Sequence, residues 1–384
     1  MKYPHRHIVA GCTLALAGMV TSTASQAQIS QAAATQLGLL SNVFINPGTA
    51  YFVGSNKVLW NGLTGVFGPA VQPYSEGMRK LTISQPLRLK ATPLAPNPTA
   101  EVIPNNYTKI VSFGDSMSDT GNFFKTIETL GGRGMPAAPN NAGRWSDGLV
   151  VLEAMANAMN LPLVNYAFAG ATSGMGSLVP TYATQQGMLK QISDAVGNEP
   201  ILDSKALYVL WTGPDDFYSS SNIFNKPTVN LVASNINTAL IRLYARGARH
   251  FFVPQMPDLS ITPSARDHNK LVSTYMVNAK ARSAELATLL DKTLRTFAKV
   301  YPLADVRTFA TYTYSQTRMV QAAAEGINVS EPCYKPPFPG VPGPACANPD
   351  KYLFWDTNHP TSAGSTVIGT DFAKAMVTTP LPSR

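Results

Sequence analysis

The stretch "KIVSFGDSMSDTGN", residues 109–122, opens the regular part of the chain. Ile110, Val111 and Phe113 form an apolar run that stops at Gly114-Asp115-Ser116 and passes into a polar turn. A short apolar run bounded by turn chemistry predicts a buried strand. Such an ending either delivers Ser116 to a site or feeds an ordinary Ser/Asp helix cap.

The segments that follow choose between these readings. The runs "PLVNYAFAG", "ALYVLWTG", "HFFVPQMPD" and "KVYPLADV" have the same character as the first and are read as further strands. Between or after them lie helical patterns such as "SDGLVVLEAMANAMN" and "TVNLVASNINTALIRLYARG". A long helical stretch is expected from Asp267 to Ala298, with Val272, Tyr275, Met276, Ala279, Leu286, Leu289 and Leu290 on one face. "TSAGSTVIGTDFAKAMV" closes the pattern as a final helix. Five apolar strands with intervening helices imply an α/β fold, a parallel five-stranded sheet covered on both faces. Ligands in such folds sit at the carboxyl ends of the strands, where Ser116 is expected.

Composition sets the outer limits. The 384 residues suffice for a full core, and 45% hydrophobic with 14% charged residues is globular rather than disordered. The net charge of +8 would fall to +6 if Lys2 and Arg6 were removed with a leader. No Lys/Arg block concentrates it, so no nucleic-acid partner is indicated, whereas transient contact with an anionic membrane surface is allowed.

Residues 1–27 read as an export signal. "MKYPHRH" is basic, "IVAGCTLALAGMV" is apolar, and "TSTASQA" supplies small residues for cleavage after Ala27. A rival reading takes "VAGC" as a lipid-attachment signal at Cys12, but almost no apolar segment precedes it. Export implies a secreted or periplasmic protein, and no later run is long enough to span a membrane. Cleavage would leave Cys333 and Cys346, a natural disulfide pair in an oxidising compartment. Residues 28–106 form an N-terminal extension ending in the Pro-rich "ATPLAPNPTAEVIPNN". A propeptide, a surface-binding extension and a strap across the main domain all suit it. The main domain is expected over 107–384.

A nucleophilic serine needs a base, and few are on offer. Beyond the leader there are His250, His268 and His359. His250 opens a strand, so it belongs at the end of the sheet opposite Ser116. His268, in the polar "SARDHNK", is expected on a solvated surface. His359 stands in the loop "FWDTNHPTSAG", with Asp356 three residues before it. A carboxylate so placed can hold the imidazole in the correct tautomer and stabilise its charged form.

These blocks resemble the GDSL or SGNH hydrolases, specifically the bacterial branch of secreted lipases, lysophospholipases and glycerophospholipid:cholesterol acyltransferase-like enzymes. "FGDSMSDTGN" is similar to the first family block, with Met117 where the name-giving motif has Leu. "GRWSDGLV" followed by "NYAFAGATSG" resembles the second, "WTGPDD" the third and "DTNHP" the last. The resemblance covers roughly residues 107–378 and implies a flavodoxin-like three-layer α/β/α fold. It implies Ser116 as nucleophile, His359 as base and Asp356 as its orienting partner. It further implies an oxyanion hole made by the amides of Ser116 and Gly170. Asp115, Asp119 and Asn122 are expected to organise the turn around the serine.

The third block departs from the pattern. The family has Asn where this chain has Asp215, and an ionised carboxylate cannot donate to an oxyanion. Asp215 therefore serves as a donor only if its surroundings keep it protonated. No Ser has a Gly-x-Ser-x-Gly setting, so the nucleophile-elbow esterases are not supported. No zinc-spaced Cys/His cluster or phosphate loop is present, and neither cofactor nor metal is expected. The resemblance implies a lipid ester substrate. The alternatives are an esterase for small or carbohydrate esters, or a non-catalytic surface-binding protein on the same fold.

Overall fold

The strands at the centre of the sheet are buried end to end. In the computed structural model, which describes residues 88–99, 101–129, 134–178, 186–218, 222–336 and 340–377, strand β1 (Ile110–Gly114) and β3 (Leu207–Trp211) have no exposed position. With β2 (Leu163–Asn165), β4 (His250–Pro254) and β5 (Asp305–Phe309) they make a five-stranded sheet in the order β2-β1-β3-β4-β5. All its pairings are parallel. The expected leader and residues 28–87 of the extension lie outside the described residues.

Alternation along the strands sends successive side chains to opposite faces. Val111, Phe113, Tyr208, Leu210, Phe251 and Val253 join the core on one face. There they meet α3 (Met188–Asn198), α5 (Pro227–Tyr244) and α7 (Tyr275–Val300). Ile110, Val209, Trp211 and Phe252 join the core on the other face, under α2 (Val151–Met159) and α9 (Ser362–Ala375). Gly369 permits the approach of those two helices: a Cβ there would lie 2.4 Å from the Val151 carbonyl oxygen. The result is a three-layer α/β/α fold. Its strand order reverses between β1 and β3, the place where such sheets bind ligands.

Two sequence expectations shift. The fifth strand is Asp305–Phe309, not "KVYPLADV", because Lys299 and Val300 finish α7 and a turn through Tyr301–Ala304 intervenes. Val300 and Leu303, which suggested a strand, are mostly exposed. The long helix is two helices, α6 (Pro263–Leu271) and α7, separated at Val272–Thr274. That Val-Ser-Thr run is poor helix material, and Val272 is extended.

Other elements carry little sequence signal. Helix α1 (Asn122–Thr129) follows the serine turn and α4 (Pro214–Tyr218) is a single short turn after β3. In α8 (Thr311–Ala324) only Thr311 and Ala322 are buried, so no apolar stripe announces it. Strands β6 (Asn328–Pro332) and β7 (Tyr352–Phe354) form a separate parallel pair ahead of the His359 loop. Residues 88–99 run along the exposed side of β2 as a strap. Leu94 exchanges backbone hydrogen bonds of 2.8 and 3.0 Å with Leu163, and Leu89 enters the core. The strap thus covers part of an otherwise open sheet edge.

Candidate active site

Ser116 leaves the sheet two residues after β1, inside a turn built by carboxylates. Asp115 Oδ1 accepts the Met117 N–H at 3.0 Å. Asp119 accepts four backbone N–H groups, those of Gly121, Asn122, Phe123 and Ala169, at 2.6–3.1 Å. It therefore caps α1 and ties the serine turn to the segment after β2. Asn122 donates to the carbonyls of Asn165 and Ala167, tightening the same junction.

His359 arrives from the opposite end of the chain. Its Nε2 lies 2.7 Å from Ser116 Oγ, a contact across 243 positions of sequence. Its Nδ1 lies 2.8 Å from both Asp356 oxygens. Asp356 Oδ1 also accepts the N–H groups of Asn358 and His359, so the loop presents its carboxylate and imidazole as one unit. The indole of Trp145, from the "GRWSDG" block, lies against the imidazole with ring centroids 5.5 Å apart. Ser116, His359 and Asp356, the three residues singled out from the sequence, are thus brought together.

Two further predicted positions are Gly170 and Asp215. Gly170 has φ +81°, a left-handed conformation that suits glycine. The N–H groups of Ser116 and Gly170 donate to no acceptor among the described residues. Asp215 lines the cavity that contains Ser116, as does Asp115. Asp215 is only 5% exposed, and its Oδ2 has no hydrogen-bond partner. Burial, reinforced by Asp115 and Asp216, holds the Asp215 carboxyl well above the usual range. Burial also raises Asp115, against the Met117 N–H and His359, which favour its ionised form. Asp216 is pushed up to about 6 by burial, while the N–H and hydroxyl of Ser173 favour its charged form.

Elsewhere the outcomes differ. Cys333 and Cys346 form a disulfide, and the Cys333 N–H donates to the Phe354 carbonyl beside the His359 loop. His250 lies at the far end of the sheet, 3.2 Å from Asp305. His268 is buried, not solvated: its ring stacks on Tyr275 at 4.6 Å and Nδ1 lies 2.7 Å from the Ser264 carbonyl. Its helix turns inward because α6 packs against α7, which the polar local sequence does not reveal. Two features of the site go beyond the sequence expectations: Trp145 against the imidazole and Asp115 acting on Asp215. Trp145 had a signal, its position inside a recognised block, whereas the Asp pairing had none.

The family model described as GDSL-like Lipase/Acylhydrolase matches residues 110–372. The chain belongs to the GDSL-like lipase/acylhydrolase family. This GDSL-family chain is 29% identical over 287 residues to the thermolabile hemolysin of Vibrio parahaemolyticus, covering 69% of this chain and 62% of that protein. It is 27% identical over 178 residues to a phosphatidylcholine-sterol acyltransferase of Aeromonas hydrophila, covering 45% and 51% respectively. The chain therefore spans less than two thirds of either relative. Among solved structures, a member of the lipolytic protein G-D-S-L family from Veillonella parvula aligns at 13% identity with a TM-score of 0.37, covering 70% of this chain and 97% of that one. Among the described residues no His/Cys/Asp/Glu group could hold a metal ion, and no helix is long and apolar enough to cross a membrane.

Proposed function

We propose that this protein is a serine esterase acting on lipid esters through an acyl-enzyme. The observation that carries the proposal is the unbroken contact chain Ser116–His359–Asp356, whose Ser116 and His359 line a largely apolar cavity. His359 Nε2 takes the Ser116 proton as Oγ attacks the ester carbonyl carbon, and Asp356 stabilises the imidazolium through Nδ1–H. The Ser116 and Gly170 N–H groups receive the oxyanion, with Asp215 as a third donor while it holds its proton. Collapse of the tetrahedral intermediate breaks the bond to the alcohol oxygen, which takes its proton from His359. Water, or an acceptor alcohol in an acyltransferase variant of the reaction, then opens the acyl-enzyme.

Lipid is favoured over small or carbohydrate esters by the walls of the cavity, which include Trp211, Pro214, Leu259, Ile261, Phe354 and Ile368. The relative named a phosphatidylcholine-sterol acyltransferase agrees with that choice. Export after cleavage at Ala27, with a hydrolase domain from residue 107 and brief contact with a membrane surface, fits a protein that carries a disulfide. One observation favours a second reading: a buried acid, Asp215, stands beside the nucleophile, as a surface-binding protein that had lost catalysis would tolerate. A fluorophosphonate probe separates the two, since an inert Ser116 in folded protein would favour binding over catalysis. Comparing lysophospholipid micelles with short soluble esters and acetylated sugars tests the substrate class; turnover confined to the sugars would reject lipid.

A further inference from the structure

The cavity at Ser116 runs sideways across the sheet. Its lining comes from the carboxyl ends of four strands in spatial order: Ser116 after β1, Pro214 after β3, Pro257 after β4 and Thr311 after β5. Three strand spacings of about 4.8 Å make this crossing about 14 Å long. Its far wall is α8, which presents Thr311, Tyr314, Ser315 and Arg318. Those positions recur at i, i+3, i+4 and i+7, so they share one helical face and cover about 10 Å of its length.

These lining residues are polar, yet their polar atoms are engaged elsewhere. Thr311 Oγ donates to the Phe309 carbonyl, and Tyr314 OH donates to Asp371 at 2.8 Å. Ser315 Oγ donates to the Tyr312 carbonyl and accepts the Asp258 N–H. Both terminal nitrogens of Arg318 reach Glu325 at 2.9 Å. The Asp258 carboxylate accepts from Ser260 and Gln316, and Thr262 Oγ donates to the Leu259 carbonyl. Among the described residues, the cavity-lining atoms that are buried without partners are Asp215 Oδ2, on α4, and Asn358 Oδ1, next to His359 in sequence. Hydrogen-bonding capacity is thus concentrated at the reacting end, and the distal part offers carbon.

We infer that this cavity is a lateral acyl channel, entered at Ser116 and ended at Arg318 of α8, which pairs with Glu325 just past the helix, and that it selects linear fatty-acyl groups by length. The inference rests on the esterase reading above and deepens it. A sugar or glycerol moiety would lose its water there without recovering hydrogen bonds, whereas a methylene chain loses nothing. At about 1.25 Å per carbon, from C–C bonds of ~1.5 Å at tetrahedral angles, a 14 Å channel holds about ten to twelve carbons. Longer chains must pass the ion pair, whose Glu325 half is exposed.

The test is kcat/KM for p-nitrophenyl esters from acetate to octadecanoate, each kept below its aggregation concentration. Wild type should gain about threefold to fourfold per methylene, levelling off near ten to twelve carbons. Ser315→Leu narrows the channel and should lower the dodecanoate-to-butanoate ratio by at least about tenfold, the worth of two methylenes. Arg318→Ala removes the end wall and should raise the hexadecanoate-to-dodecanoate ratio by about tenfold. These shifts have opposite directions, which simple destabilisation cannot produce. Val320→Ala, on the solvent side of α8, should leave both ratios unchanged. Ser116-dependent activity with a flat chain-length profile, or both variants moving the optimum the same way, would overturn the channel and leave the hydrolase reading standing. Absence of any Ser116-dependent activity would overturn both.

Discussion

Replacing Asp215 by Asn converts a group that donates only when protonated into one that donates at every pH. In the wild-type protein the Asp215 carboxyl is buried and faces three other titratable groups, Asp115, Asp216 and Tyr218. The two acids and the burial all disfavour its anion, so its proton leaves only well above the usual carboxylate range. Below that raised pKa, Asp215 is a neutral donor and Asp215→Asn should match wild type. As pH rises through it, wild type loses the donor and places a negative charge where the oxyanion must form. Loss of one oxyanion donor costs about 10²–10³ in rate, or about 2.7–4 kcal/mol. The ratio of mutant to wild-type kcat/KM should therefore climb from about one toward that range as pH rises through the raised Asp215 pKa. The assay is kcat/KM on a short soluble ester from acid to alkaline pH, with circular dichroism to confirm that both proteins remain folded. Asp115→Asn sharpens the test: it removes a like charge acting on Asp215, so the decline with rising pH should begin at lower pH in this single variant than in wild type. A mutant-to-wild-type ratio for Asp215→Asn that does not change with pH would refute the reasoning and remove Asp215 from the hole.

Ser116→Ala and His359→Ala should each abolish ester hydrolysis in folded protein, and the double mutant should be no worse, because such residues act as a unit; full activity in either would reject the assignment. His268→Ala, buried against Tyr275, should cost about 1–3 kcal/mol in urea unfolding with little change in kcat for the surviving folded protein. A stability equal to wild type would contradict the buried placement. Cys346→Ser opens a loop with a sequence separation of 13 and should lower stability by up to about 3 kcal/mol, less to the extent that its prolines already stiffen the loop; peptide mapping of non-reduced protein checks the bond directly. Asp119→Ala strands four N–H groups at the serine turn and should destabilise by at least about 3 kcal/mol, seen as a lower denaturant midpoint. A loss under about 0.5 kcal/mol, as for an ordinary surface change, would show that water replaces those bonds.

Features written in a few consecutive residues could be read from the chain alone. The apolar run 110–113 and its Gly-Asp-Ser ending identify a strand and its terminus, since periodicity and turn chemistry are local. The Asp356–His359 contact spans three positions, so the loop itself carries it. Family blocks in order extended that reading to Gly170 and Asp215, and cysteine count with the expectation of export led to the Cys333–Cys346 pair. Tertiary packing decided the rest. Ser116 meets His359 only because β1 and the segment before α9 end at the same edge of the sheet. Asp115 acts on Asp215 because β1 and β3 are neighbours, with Gly114 opposite Trp211, although the strands are far apart in the chain. His268 is buried by a helix that its own sequence does not mention. Helix α8 lacks an apolar stripe because the face it turns inward borders a cavity rather than a packed core. Burial and Coulomb coupling depend on distances between strands and helices, and a one-dimensional pattern records only the spacing within each.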